Sequence, residues 1–354
     1  MKADNGYFHR VMQQSNTRFW INNPTIEEAY KAIEAGAISC TTNPTYSAKM
    51  IQAESEHRNA INIIDEVIGD IKDDTEAARA VQRRLVKRIL EPFMPIYEKS
   101  NGTAGFVSIQ ADPHAEHDPD FIIEEALEDM KLGKNVIAKI PVTGSGLKAI
   151  EVLLREGIPI IATEVMGISQ AICACELYKK VCGKTNKYPP FYVTHITGIF
   201  DEYLKKVVER DGIEICRDIL WQAGCIVARK QYRILKERGY PVRMLGGGAR
   251  GIHHFTEMVG SDMHVTINWR GTADKLIEED YPVVYRMDTP IPLYAVNELM
   301  SKIPDIRKAY MEDVLKVEEF MDYGPVKLFR DNFIAGWDYL LETVKKRREL
   351  LVKN

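Results

Sequence analysis

The 354-residue chain has no apolar run long enough to cross a bilayer. Its amino terminus, MKADNGYFHRVMQQSN, is polar and of mixed charge, and it lacks the apolar centre of a secretion signal. Charge of one sign is also scarce. The 47 Lys and Arg stand against 51 Asp and Glu, and a formal net charge of −4 offers no broad attraction to nucleic acid or to an anionic membrane. The basic runs KKRR (345–348) and RR (83–84) fall in helical patterns and read as solvated helix faces. Six cysteines are scattered, and the nearest pair, Cys173 and Cys175, is too close for zinc-ligand spacing. They read as reduced, mostly buried thiols of a cytoplasmic protein. No clustered metal-ligand motif of the His-x-x-x-His kind occurs, so no metal is expected.

What the chain does contain is alternation. Strand-like runs occupy 18–22, 37–43, 104–112, 135–142, 158–165, 190–198, 242–249 and 263–268, with helical segments in the seven intervals. The first interval, TIEEAYKAIEAG, carries Thr25 as N-cap, Glu28 at capping-box spacing and Gly36 near the C-cap. Eight such runs separated by helices predict an α/β fold, a (β/α)8 TIM barrel over residues 1–270. The rival is a doubly wound open sheet, which wants a glycine loop after an early strand; the glycine cluster GGGAR (246–250) comes late and with the wrong spacing. Residues 271–354 read as a helical C-terminal extension. There Phe333, Trp337, Leu340, Leu341 and Val344 recur at helical spacing and are expected to pack on the barrel or on a neighbouring subunit of a homo-oligomer, with no chemical role.

One residue disturbs this pattern. Lys139 lies in the middle of the apolar run NVIAKIPV. Barrel strands alternate between interior and helix layer, so an inward Lys139 shares its face with Ile137 and Pro141, while Ala138 and Ile140 face the helices. Burial disfavours the ammonium and draws its pKa toward neutrality. A neutral amine is a nucleophile whose natural target is a carbonyl, and the resulting imine is an electron sink for the adjacent carbon–carbon bond. The alternative is a structural lysine paired with a carboxylate inside the barrel.

Five motifs surround it in order over residues 18–268: CTTNPTY (40–46), GFVSIQADP (105–113), KIPVTGSGLKAIEVLLREGIP from Lys139, ATEVMGISQA (162–171) and LGGGAR (245–250). In this order they resemble the transaldolases and the related fructose-6-phosphate aldolases. The resemblance implies that Lys139 forms the imine, that Thr41 and Asn43 hold substrate oxygens, that Thr163 orients the catalytic water and that Thr194 lines the same pocket. It implies no metal and no organic cofactor. Four departures stand out. Asn22 replaces the family's first-strand aspartate and cannot take a proton. Gln110 stands where transaldolases carry glutamate, although the aldolase branch also has glutamine. Ile196 replaces an aromatic residue that the aldolase branch uses for proton transfer. Ile199 and Gly248 replace an arginine and a serine of the phosphate clamp, leaving Arg250, with Arg243 or Arg270 as possible helpers. Among substitutes for the missing acid–base groups, strict alternation aims Glu164 and His195 outward. His253 and His254 could reach a substrate head group or cap the next short helix, and Asp112 reads as a turn residue before Pro113.

The expectation is a transaldolase-like class I aldolase of carbohydrate metabolism. Lys139, Thr163, Gln110 and Asn22 would be its catalytic set. Thr41, Asn43, Thr194 and Arg250 would bind a ketose or dihydroxyacetone donor, phosphorylated or not. The alternative is a barrel that binds a sugar or sugar phosphate without turnover.

Overall fold

The computed structural model describes residues 5–352; the first four residues of the polar amino terminus and the last two of the C-terminal extension lie outside the described residues. Eight strands form: β1 (Arg18–Asn22), β2 (Ser39–Thr41), β3 (Val107–Ile109), β4 (Val136–Pro141), β5 (Ile160–Thr163), β6 (Phe191–His195), β7 (Arg243–Gly246) and β8 (Met263–Ile267). They are parallel and follow one another in chain order around a closed ring, with β8 pairing back onto β1 through Phe19↔Val265 and Ile21↔Ile267. With helices in the intervals this is a (β/α)8 TIM barrel, and the open-sheet alternative falls away.

The strands alternate as their pleat requires. Trp20, Phe106, Ile137, Ile161, Tyr192 and Leu245 make an apolar plug inside the ring. Phe19, Ile21, Cys40, Val107, Ala138 and Ile140 belong instead to the layer between strands and helices. Lys139 is therefore two residues above the Ile137 level of the plug, facing the C-terminal rim of the barrel.

Local chemistry explains the first helix, Ile26–Glu34. The Thr25 hydroxyl accepts from the Glu28 N–H and the Glu28 carboxylate accepts from the Thr25 N–H, the expected capping box, and Gly36 turns the chain away at φ +105°. The two long helical stretches are each broken into three helices, 46–52, 54–70 and 74–99 in the first and 197–211, 217–221 and 223–237 in the second. A further helix, Tyr7–Gln14, precedes β1, where the polar amino-terminal sequence suggested no element; Phe8 anchors it by stacking on Phe19 with ring centroids 4.1 Å apart.

The C-terminal helix, Gly324–Val352, lies along the barrel with Phe333, Trp337, Leu340 and Val344 buried, the expected apolar stripe. Lys345 and Lys346 of the basic run are exposed as expected, but its two arginines are not a solvated face. Arg347 makes two hydrogen bonds to the Asp65 carboxylate (2.8 and 2.6 Å), and Arg348 binds Asp74 (2.8 Å) and the carbonyls of Ile68 and Ile71. A planar guanidinium can bridge carboxylate and carbonyl acceptors at once, and this fastens the helix to its neighbours. Gly336 passes so close to Thr45 that a Cβ there would lie 2.8 Å from the Thr45 Cα. Trp337→Ala is expected to cost about 3–5 kcal/mol in urea-induced unfolding, because a fully buried indole leaves a cavity that the helix cannot close.

Candidate active site

The strand C-termini open into a cavity of about 500 Å³, and Lys139 stands at its floor. The side chain is only 6% exposed. Its Nζ donates to the Thr42 carbonyl at 3.4 Å and lies 5.5 Å from the centre of the Phe333 ring. Burial pushes its pKa down to about 8, against the opposing attraction of Glu164 and Glu116. Thr163 lines the same cavity, and its buried hydroxyl has no hydrogen-bond partner in the protein, so it is available to a ligand.

Around the lysine the rim is built from neutral hydrogen-bonding groups at strand ends. Asn22 donates through Nδ2 to Asn268 Oδ1 (2.8 Å) and accepts from the Thr41 hydroxyl (2.9 Å). Thr41 in turn is 2.7 Å from the Thr266 hydroxyl, which must be the donor, since the Thr41 proton is already committed. Asn43 accepts through Oδ1 from the Thr45 N–H (2.9 Å) and from Asn23 (3.2 Å), which turns it toward the cavity as a rigid unit. Thr194 donates to the Ala162 carbonyl at 3.1 Å. Lys139, Asn22, Thr41, Asn43, Thr163, Thr194 and Arg250 thus meet at one cavity. Asn23, Thr266 and Asn268 join them, although no sequence signal singled them out.

Gln110 is placed differently. It does not line the cavity but lies buried behind it, and its amide Nε2 donates to Glu164 Oε1 (2.9 Å) and Glu116 Oε1 (3.2 Å). The expectation that Glu164 faces the helices fails here. Residue 164 adopts a left-handed backbone, φ +60°, which ends the strand alternation and swings the side chain inward, fully buried. Gln170 fixes this turn by donating to the Glu164 carbonyl (3.1 Å) while accepting from the N–H groups of Met166 and Gly167. Glu116, from the loop after β3, is in hydrogen-bond contact with Glu164, and burial raises the pKa of both carboxyls. The C-terminal helix, expected to have no chemical role, supplies Phe329, Asn332 and Phe333 to the cavity wall and Arg330 to the surroundings of the two glutamates.

The histidines stay out of the cavity. His195 is buried on the helix side of β6, as alternation implies, and burial lowers its pKa to about 4. His254 accepts the Arg250 N–H at Nδ1 (3.0 Å), so its Nε2 carries the proton that it gives to Asp201 (2.9 Å). His253 stacks on Trp221 with centroids 3.9 Å apart. These two histidines and Cys225 bring potential metal-ligating atoms within 4.8 Å of one another. His254, with one nitrogen accepting and the other donating, has no lone pair left for an ion. Asp112 is a turn residue, accepting the His114 N–H at 2.9 Å.

At the other end of the cavity Ile196 and Ile199 form an apolar wall beside Arg250. The Arg250 guanidinium is already held by Glu202 at 2.8 Å. Arg270 stands on the rim, 3.7 Å from Glu28. Arg243 does not take part: it begins β7, at the opposite end of the barrel, near Asp262.

The fold and this arrangement define a TIM barrel whose C-terminal mouth holds a buried, readily deprotonated lysine in a cavity of hydroxyl and amide groups. Residues 19–303 match the family model described as Transaldolase/Fructose-6-phosphate aldolase, and the chain belongs to that family. It is 27% identical over 212 residues to a transaldolase of Mycobacterium tuberculosis (strain ATCC 25618 / H37Rv), covering 56% of this chain and 55% of that one. It is 23% identical over 291 residues to a transaldolase of Prochlorococcus marinus subsp. pastoris, covering 80% and 81%. The chain thus spans about half the length of the mycobacterial relatives it matches.

The lowered pKa of Lys139 has a consequence for stability. Between its folded value of about 8 and the ordinary lysine value of 10.5 the unfolded chain binds more protons, so stability rises with pH across that window. Below it the buried ammonium carries its full cost, about 3 kcal/mol. Lys139→Met should therefore be more stable than the parent at pH 7, with the difference shrinking toward pH 10.5; denaturant unfolding at the two pH values measures it.

Proposed function

We propose that this protein is a transaldolase-like class I aldolase of carbohydrate metabolism, acting on a ketose or dihydroxyacetone unit through an imine at Lys139. The observation that carries this reading is the buried amine itself, with its pKa near 8 and direct access to a polar cavity. The amine attacks the carbonyl carbon, a proton moves from nitrogen to oxygen, and a second proton, the one the ammonium first shed, returns to the hydroxyl so that water leaves and an iminium remains. When the neighbouring carbon–carbon bond breaks, its electron pair enters the iminium, the substrate hydroxyl loses its proton, and an aldehyde departs. The enamine that remains is protonated or attacks an acceptor aldehyde, and water then frees Lys139. Asn22, Thr41, Asn43 and Thr194 hold hydroxyls of the chain, Thr163 directs the water, and Gln110 acts from behind. No cofactor is required, because the imine is the electron sink. The free thiols suit a reducing, cytoplasmic setting.

The polar rim favours a donor with little charge at the Arg250 end. A phosphate is best held by two or more charge-assisted contacts, and here Arg250 is already neutralised by Glu202 beside the apolar pair Ile196 and Ile199.

Incubation with dihydroxyacetone or fructose followed by borohydride should leave a mass increment on Lys139 that is absent from Lys139→Ala. Absence of an adduct with every ketose tried would make the protein a sugar-binding barrel without turnover. Glu202→Gln, which frees Arg250, should raise the preference for phosphorylated over unphosphorylated ketose about tenfold in the same trapping assay.

A further inference from the structure

Glu116, Glu164 and Gln110 lie behind Lys139 and outside the cavity, all three buried. Gln110 hands its amide nitrogen to one oxygen of each carboxyl. The second oxygens, Glu116 Oε2 and Glu164 Oε2, are buried with no donor. Two ionised carboxyls in contact in such a place would repel strongly and leave both oxygens unsatisfied. One proton between them removes both problems. The charged groups facing the pair are Lys139 on β4 and Arg330 on the C-terminal helix, and neither is within ion-pair distance among the described residues. The left-handed backbone at Glu164 is a strained conformation for a non-glycine residue, and it brings this carboxyl inward.

We propose that Glu116 and Glu164 share one proton and serve Lys139 as its proton relay, a role that rests on the imine reading above. The pair, with one negative charge, takes the proton that the Lys139 ammonium must shed. The free amine then adds to the ketone, its N–C bond forms and the carbonyl oxygen becomes a hydroxyl. The pair returns its extra proton to that hydroxyl, the C–O bond breaks, water leaves, and iminium and anionic pair remain, so atoms and charge balance. Thr163, next in the chain to Glu164 and lining the cavity with an unpartnered hydroxyl, is the connecting group.

Two measurements test the relay on the full chain. The first is the rate of adduct formation with dihydroxyacetone under cyanoborohydride between pH 5.5 and 10. Replacing both carboxyls, Glu116→Gln with Glu164→Gln, should lower the plateau at least tenfold and move the rising limb to lower pH, since the shared anion favouring the ammonium is gone; Glu164→Asp alone should keep part of the plateau. A purely structural glutamate would leave the limb in place. The second needs no substrate: at neutral pH the infrared difference between the parent and Glu116→Gln should contain a protonated-carboxyl C=O band. Imine formation with an unmoved limb and plateau in the double variant, or no such band, overturns the relay and leaves the imine reading standing. No adduct on Lys139 in the parent with any ketose overturns both.

Discussion

The cost of keeping an amine inside an apolar barrel governs the rest of this structure. Six large side chains close the ring below Lys139, and among the described residues no carboxylate is in ion-pair contact with it; Glu164 and Glu116 act on it through space. The ammonium is therefore weakly supported, held by one long hydrogen bond to a carbonyl and by an aromatic ring, with two buried glutamates as the nearest opposing charge. A carboxylate in direct contact would hold the amine as an ammonium; the two glutamates act on it only through space, so burial prevails and the pKa falls.

The surroundings extend that logic. The groups that meet a ligand at the strand ends, Asn22, Thr41, Asn43, Thr266 and Asn268, are neutral, and most are already bonded to one another. They add no charge next to Lys139, and the other charged groups of the lining, Lys49, Glu202, Arg250 and Arg270, sit farther out on the rim in ion pairs. The C-terminal helix completes the enclosure. Phe329 and Phe333 cover the mouth while Arg330 balances the glutamates, and the helix is fixed by a buried indole and by the carboxylates that hold Arg347 and Arg348. An element that looks like simple packing in the primary structure thus sets both the dielectric and the volume of the site.

Much of this was legible beforehand because barrel strands have a period of two. Alternation gave the inner and outer faces of β4, and the family resemblance put Thr41, Thr163 and Thr194 at one rim. Alternation placed His195 on the helix side as well. The rule failed at Glu164, where a left-handed residue ends the alternation, and nothing in ATEVMGISQ signals a positive φ at a glutamate. Gln110 was assigned to the site by motif but faces the glutamates rather than the cavity, because β3 is short and its end turns into the loop that carries Glu116. Arg347 and Arg348 looked solvated because a helix pattern cannot reveal which carboxylates lie across from it.

By itself the amino-acid sequence determined the number of strands and their alternation with helices, since these follow from local periodicity; it favoured the closed barrel and an inward lysine, and the polar rim came from the resemblance of its motifs. Only the tertiary structure decided which charges face that lysine, what roofs the cavity and which carboxylates occupy the arginines near its mouth. Those depend on side chains brought together from positions as far apart as 110, 116, 164 and 330, and electrostatic energy depends on distance through space, which no local pattern encodes.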